Sequence, residues 1–282
     1  MKSLSSHPRY YEQKTAAESQ LGRKLTNEEF ERDHWKEPDS EIISGTSIFD
    51  PVLCEIAYRW FCPVDGLVLD PFAGGSVRGI VASKLGRRYL GVDLRAEQIE
   101  ANRQQAAVIC GDPAPRWLLG DSRENSGHAA GAAADLIFSC PPYADLEVYS
   151  DDPADLSTLD YPEFISAYRA IIAASLSLLK TDRFACFVVG DTRDKHGFYR
   201  NFVSDTIAAF QDAGARYYNE AVLVTSVGSL PIRVGRQFEA GRKLGKSHQN
   251  VLIFVKGDPR AATQACGHVE IADPAEMFGV TQ

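Results

Sequence analysis

The sequence predicts an α/β protein: a seven-stranded, mainly parallel sheet with helices on both faces and an antiparallel edge strand. Three observations predict it. Short apolar runs recur at 67–70, 88–92, 116–120, 135–139, 184–189, 217–225 and 250–256, long enough for strands and too short for helices. Helical periodicity fills the gaps at 76–85, 95–107, 161–179 and 199–213, and such alternation implies parallel pairing through right-handed crossovers. The last two runs show no helical pattern between them, so they read as an antiparallel pair at one edge.

Ahead of the sheet, residues 1–45 are polar, charged and rich in helix formers, and read as a helical arm. Thr26-Asn27-Glu28-Glu29 has the spacing of a capping box, so a short helix is expected from there to about Trp35. Pro38 and Gly45 punctuate its exit. An apolar helical stretch runs from Val52 to Phe61. The α/β domain is placed at 46–258, with 259–282 as a C-terminal tail. Gly127 to Ala134, a run biased to small residues, reads as a loop.

A chain of 282 residues with 44% hydrophobic and 10% aromatic content fits one large domain with an appendage. No run approaches the roughly eighteen apolar residues of a membrane span, and Met1–Tyr10 carries no apolar secretory segment. No membrane partner is expected and a cytoplasmic location is the default. Cys54, Cys62, Cys110, Cys140, Cys186 and Cys266 form no Cys-x-x-Cys, and the histidines do not cluster with them, so no metal site is expected. A net charge of −8 argues against coating nucleic acid through bulk charge but permits a local basic patch.

Two strands run directly into loops of special backbone chemistry. Val68-Leu69-Asp70 continues as Pro71-Phe72-Ala73-Gly74-Gly75-Ser76, and Asp135 to Ser139 continues as Cys140-Pro141-Pro142-Tyr143. Ligands of open α/β sheets bind at the carboxyl ends of the strands. Glycines 74 and 75 permit positive φ and close approach of backbone to a ligand, and Ser76 is placed to cap the following helix. The set Gly74, Gly75, Gly79 is not the dinucleotide fingerprint, and no Gly-Lys-Ser/Thr follows to make a P-loop.

Asp93 ends the second strand about 20 residues after the loop begins, the interval at which a carboxylate accepts ribose hydroxyls; its other reading is a helix cap near Arg95. Asp121, followed by Ser122, ends the third strand and would face the same crevice, accepting an adenine amino hydrogen or making a plain turn.

These residues resemble the S-adenosylmethionine-dependent DNA methyltransferases that act on exocyclic amino groups. The resemblance covers about residues 46–257, from Thr46 and Phe49 in Thr46–Leu53, through Asp70–Gly75 and Cys140–Tyr143, to Lys246-Ser247-His248-Gln249-Asn250. It implies a Rossmann-like methyltransferase fold. It also implies S-adenosyl-L-methionine as cofactor, its methionine part held by Asp70, Pro71, Phe72, Ala73, Gly74 and Gly75, with the Thr46–Leu53 segment closing over it. Catalysis is implied at Cys140, Pro141, Pro142 and Tyr143, and duplex DNA with a flipped base as partner.

The chemistry explains that composition. An exocyclic amino nitrogen is a poor nucleophile because its lone pair is delocalised into the ring. Two acceptors aimed at its N–H groups favour a pyramidal nitrogen and stabilise developing positive charge. Pro141 offers its carbonyl from a stiffened loop, and Tyr143 an aromatic face for an extruded base. Cys140 departs from the family pattern, where Asp, Asn or Ser is usual, and a thiol is a weak acceptor. Cysteine substitutes for serine, or Ser139 supplies the hydroxyl through a local shift, or the site is impaired or serves another nucleophile. The serine analogy puts N4 of cytosine ahead of N6 of adenine.

Ser226 to Gln249 carries Arg233, Arg236, Arg242, Lys243 and Lys246 against one acid, Glu239, with glycines interspersed. It reads as a flexible segment that orders on a phosphate backbone, or as a solvated loop. His248 fits core, phosphate contact or base-pocket wall. Asp145 to Asp160 is acidic and reads as a mobile lid or a solvated loop. Asp191-Thr192-Arg193-Asp194 is read as closing the far side of the pocket. Methylation of RNA or of a protein amide, and a silenced cofactor-binding module, are the rival readings.

Overall fold

Alternation along the strands sorts the apolar side chains into two halves, one on each face of a single sheet. The computed structural model describes residues 10–26, 29–30, 49–143, 154–224 and 230–269, and no side chains at 10–13, 16 and 230–233. The strands are β1 (Leu67–Asp70), β2 (Arg88–Asp93), β3 (Arg116–Leu119), β4 (Ala134–Ser139), β5 (Leu179–Val189), β6 (Arg216–Val224) and β7 (His248–Lys256), in the order β3-β2-β1-β4-β5-β7-β6. β1 to β5 pair in parallel, whereas β7 runs antiparallel to both β5 and β6. The reversed strand therefore lies one place inside the edge, and β6 is the edge.

The helices of the described residues are α1 (Tyr10–Leu21), α2 (Pro51–Phe61), α3 (Val77–Lys84), α4 (Ala96–Ile109), the single turn α5 (Asn125–His128), α6 (Tyr161–Leu178), α7 (Phe202–Asp212), α8 (Leu230–Gly241) and α9 (Pro259–Cys266). Because successive strand residues point to opposite faces, Leu69, Ile137, Phe187 and Phe254 pack with Phe164, Tyr168 and Phe202 of α6 and α7. Val68, Leu136, Phe138 and Ile253 pack instead with Tyr58 of α2, Ala82 of α3, Ile99 of α4 and Ala262 of α9. Asp50, Asp160 and Asp258 cap α2, α6 and α9 by accepting first-turn backbone N–H groups, each beside a proline in the first turn.

The chain divides into two units, 1–48 and 49–282. In the first, the capping box is formed: Thr26 donates its N–H to the Glu29 carboxylate at 2.9 Å, and the Glu29 N–H returns to Thr26 Oγ1 at 3.2 Å. The rest of the helix expected to Trp35 lies outside the described residues.

Four expectations are corrected. β5 begins at Leu179, because Lys180, Thr181, Asp182 and Arg183 hide the strand's start from an apolar reading. Helix α7 starts only at Phe202, since Asn201 sits at φ 64° and breaks the helical path. The segment between β6 and β7, read as helix-free, contains α8. The tail expected from residue 259 begins instead with α9, whose Ala262 and Cys266 are buried against the sheet. Among the described residues no helix is long and apolar enough to cross a membrane.

Candidate functional site

Because β1 and β4 are adjacent and parallel, the loops that follow them emerge side by side. Asp70, the last residue of β1, is fully buried. It accepts from Arg78 Nε at 2.6 Å, the Tyr89 hydroxyl at 2.7 Å, the Ser139 hydroxyl at 2.6 Å and its own loop's Phe72 N–H at 3.2 Å. Arg78 also donates to the Phe72 carbonyl and, at 2.9 Å, to the Ala73 carbonyl, with the Phe49 ring 4.7 Å from its guanidinium carbon. A buried arginine of this kind remains charged because the Asp70 carboxylate and two loop carbonyls compensate its lost hydration.

Two expected roles change here. Asp70 and Ser139, read as cofactor-binding and catalytic, spend their polar atoms on each other and on this network, out of reach of a ligand. Asp70 shapes the loop, and Ser139 ties it to β4.

Beyond that anchor the loop opens. Gly74 adopts φ +49°, and a side chain at Gly74 or Gly75 would meet nothing within 4 Å. The Gly74 N–H donates to Asp93 Oδ2 at 2.8 Å, and its carbonyl accepts from Asn102 Nδ2 at 2.7 Å. Gly91 permits the approach of this loop to β2, since a Cβ there would collide with the Cβ of Ala73. Asp93 also accepts the Arg95 N–H at 2.9 Å, a turn just ahead of α4, whose N-cap is Arg95 with no side-chain cap bond. Burial raises the Asp93 pKa, against the lowering effect of those two backbone bonds.

Asp121 accepts from Arg123, through the backbone N–H at 2.8 Å and Nε at 2.7 Å, and caps the turn Ser122–Glu124. Burial pushes its pKa up, but the Arg123 bonds outweigh that and leave it lowered. Ser122 is buried, with its hydroxyl committed to the Pro71 carbonyl at 2.6 Å. Its expected cofactor contact is thus replaced by a strut between the first and third loops. Ser76 makes no cap with its side chain and bonds Gln105 of α4 instead.

In the second loop Pro141 is buried while Cys140, Pro142 and Tyr143 are half-buried. Gln249 Nε2 donates to the Tyr143 hydroxyl. Burial raises the Cys140 pKa, with the Arg78 charge acting in the opposite direction. The sulfur is therefore a neutral thiol at ordinary pH. The Tyr143 ring meets Phe202 edge-on, 6.1 Å between centroids. Gly190, at the end of β5, would carry its Cβ 3.8 Å from the Tyr143 hydroxyl, so a third strand end borders the same crevice.

Arg236 and Arg242 are exposed, and Lys243 and Lys246 half-buried, where α8 leads into β7. The expected flexible loop is thus a helix over Leu230–Gly241. Arg233 falls within it, with a side chain outside the described residues, as is Thr46 altogether. His248 is exposed at the start of β7, which excludes its core reading. Within the acidic stretch Asp155 and Asp160 serve as N-caps, accepting from Ser157 and Glu163; residues 144–153 lie outside the described residues.

Sequence reasoning missed Arg78, Tyr89 and Asn102. Arg78 and Asn102 carried a faint signal, as polar residues on helix faces otherwise turned to the sheet. Gln249 entered only as part of the Lys246–Asn250 resemblance, because its contact with Tyr143 depends on β7 being reversed.

No family model matches this sequence, and no curated protein is similar to it. Solved structures do overlay. TrmN from Thermus thermophilus is 16% identical with a TM-score of 0.51, covering 76% of this chain and 51% of its own; the chain thus spans about half the length of that protein. The [4+2]-cyclase SpnF is 12% identical with a TM-score of 0.51, covering 73% of this chain and 81% of its own. The chain has the Rossmann-like fold of S-adenosylmethionine-dependent methyltransferases. That fold also carries a cyclase, so function rests on the site.

Proposed function

We propose that this protein is an S-adenosylmethionine-dependent methyltransferase acting on an exocyclic amino group of a base flipped out of duplex DNA, N4 of cytosine ahead of N6 of adenine. The observation that carries the reading is the Asp70–Ser139 bond. It holds a glycine loop suited to a cofactor and a Pro-Pro-Tyr loop suited to a base at neighbouring strand ends.

The residues present fit the cofactor. Gly74 and Gly75 leave the main chain of the first loop open to a methionine moiety, and Asp93 retains lone pairs for ribose hydroxyls beyond its two backbone bonds. Asp121 stands at the third strand end for an adenine amino group. When bound, S-adenosylmethionine supplies an electrophilic methyl group on a positively charged sulfur.

The chain's own residues do the rest. The Pro141 carbonyl accepts one amino hydrogen of the target base, and the Cys140 sulfur, a weak acceptor, takes the second. Tyr143, braced by Gln249 and Phe202, offers its ring as one wall for the base. The buried Asp70–Arg78 pair fixes both loops, so little reorganisation accompanies reaction.

Methyl-labelled cofactor offered to pools of DNA, RNA and protein tests this. Label in DNA, recovered as a methylated amino base and lost in Tyr143→Ala, is the expected result. Label only in RNA or protein, or cofactor binding without transfer to any pool, overturns it.

A further inference from the structure

The chain after β5 folds back on itself at the rim of the crevice. Arg193 and Tyr199 form an antiparallel bridge, and Asp194 closes the turn between them. The Asp194 carboxylate accepts the N–H groups of His196 and Phe198, both at 2.9 Å, while its own N–H donates to the Phe198 carbonyl at 2.8 Å. Both backbone groups of Phe198 are thus fixed, yet its side chain is 72% exposed and that of neighbouring Tyr199 is 47% exposed.

Cations surround this fixed aromatic tip. The Arg193 guanidinium lies 3.9 Å from the Tyr199 ring centre and donates to the Gly197 carbonyl at 2.8 Å. Lys243, arriving from the far side of α8, sits so close to Gly197 that any Cβ there would strike its ammonium group. Lys195 and His196 are exposed on the turn itself. Among the described residues no carboxylate lies within ion-pair distance of Arg193, Lys195 or Lys243. In a protein of net charge −8, such a cluster beside a solvent-facing ring is a local basic feature.

We infer that the 191–200 hairpin is a docking element for nucleic acid: Phe198 stacks on a base of the duplex beside the extruded one, and Lys195 and Lys243 pair with flanking phosphates. This rests on the function proposed above and adds to it the surface that receives the duplex. A flat ring supplies stacking without sequence preference, and the lysines supply the phosphate term that positions without reading bases. An acidic peptide would engage the cations but leave the ring without a planar partner.

The test uses the full chain and a fluorescein-labelled, mixed-sequence DNA duplex, with anisotropy read across a salt series. Phe198→Ala should weaken binding about tenfold, with Phe198→Trp restoring most of the affinity. Lys195→Gln/Lys243→Gln should flatten the slope of log affinity against log salt by about 1.8. Binding of S-adenosylhomocysteine by calorimetry should be unchanged in all three, which also reports that each variant is folded. Wild-type binding that both alterations leave intact overturns this inference alone. A wild type that neither binds nor methylates the duplex overturns it together with the proposed function, and tighter binding to an RNA hairpin overturns it as well.

Discussion

The Ser139 hydroxyl donates to Asp70 across 2.6 Å, joining the last residue of β4 to the last residue of β1. Both residues are wholly buried. The two functional loops therefore cannot separate without breaking a hydrogen bond to a buried, charge-paired carboxylate.

Ser139→Ala should cost about 2 kcal/mol, the range for hydrogen bonds to charged groups, read as a lower midpoint in urea. Methyl transfer, assayed where the variant is folded, should stay close to wild type. A large loss of transfer at unchanged stability would return the hydroxyl to a catalytic role.

Asp70→Ala leaves Arg78 as an uncompensated buried cation and should destabilise by about 3–5 kcal/mol. Adding Arg78→Met should recover part of that loss, because the orphaned charge goes with it. A double-mutant cycle in denaturant checks the coupling, and strict additivity would show the pair to be independent.

The Asp93 carboxyl is held above its ordinary value of 3.8 by burial. Between that value and the raised folded value, the folded protein binds more protons than the unfolded one. This group's contribution to stability therefore falls as pH rises through that window. Asp93→Asn should remove that part of the decline. Affinity for S-adenosylhomocysteine should change in the opposite sense, strengthening as wild-type Asp93 ionises and becomes a better acceptor for ribose hydroxyls. Calorimetry across the window, flat in the Asn variant, checks both the sign and the residue.

Cys140→Ser replaces a weak acceptor by a stronger one at the same position and should retain or raise the single-turnover rate. A loss beyond about a hundredfold, roughly 2.7 kcal/mol in barrier, would mean that sulfur is needed for itself. Tyr143→Phe should slow transfer modestly, since the ring remains while the bond from Gln249 is lost.

Gly74→Ala meets no steric neighbour, so its cost is confined to the backbone at φ +49°, about 1–2 kcal/mol for an L-residue. Thermal melting should register that loss, and a far larger drop would indicate a contact not accounted for by the backbone.

Much of the fold was legible because its central strands are buried on both faces and announce themselves as apolar runs: β1 matches its expected span of 67–70. Helix α6 was equally plain from its periodicity, expected over 161–179 and observed as Tyr161–Leu178. What escaped was local chemistry that competes with pattern. Leu179 to Arg183 is polar and hides a strand, and α8 is interrupted by glycines and a proline that read as loop.

At the site, the two loops were visible as strings, but the division of labour within them was not. Asp70 and Ser139 carry the side chains a ligand would want, and only the placement of Arg78 and Tyr89 shows that they are already engaged.

The reversal of β7 has a geometric consequence. In a strand parallel to β5, the residues after Lys256 would arrive beside Tyr143. In this strand it is the upstream side, through Gln249 and the stretch ahead of His248, that reaches the crevice. Exchanges between Arg242 and Gln249 therefore alter the mouth of the crevice, whereas changes at Gly257 and Asp258 fall at the opposite rim, beside Asp182. Selectivity can then diverge in that connection while the paired loops of β1 and β4 keep their geometry.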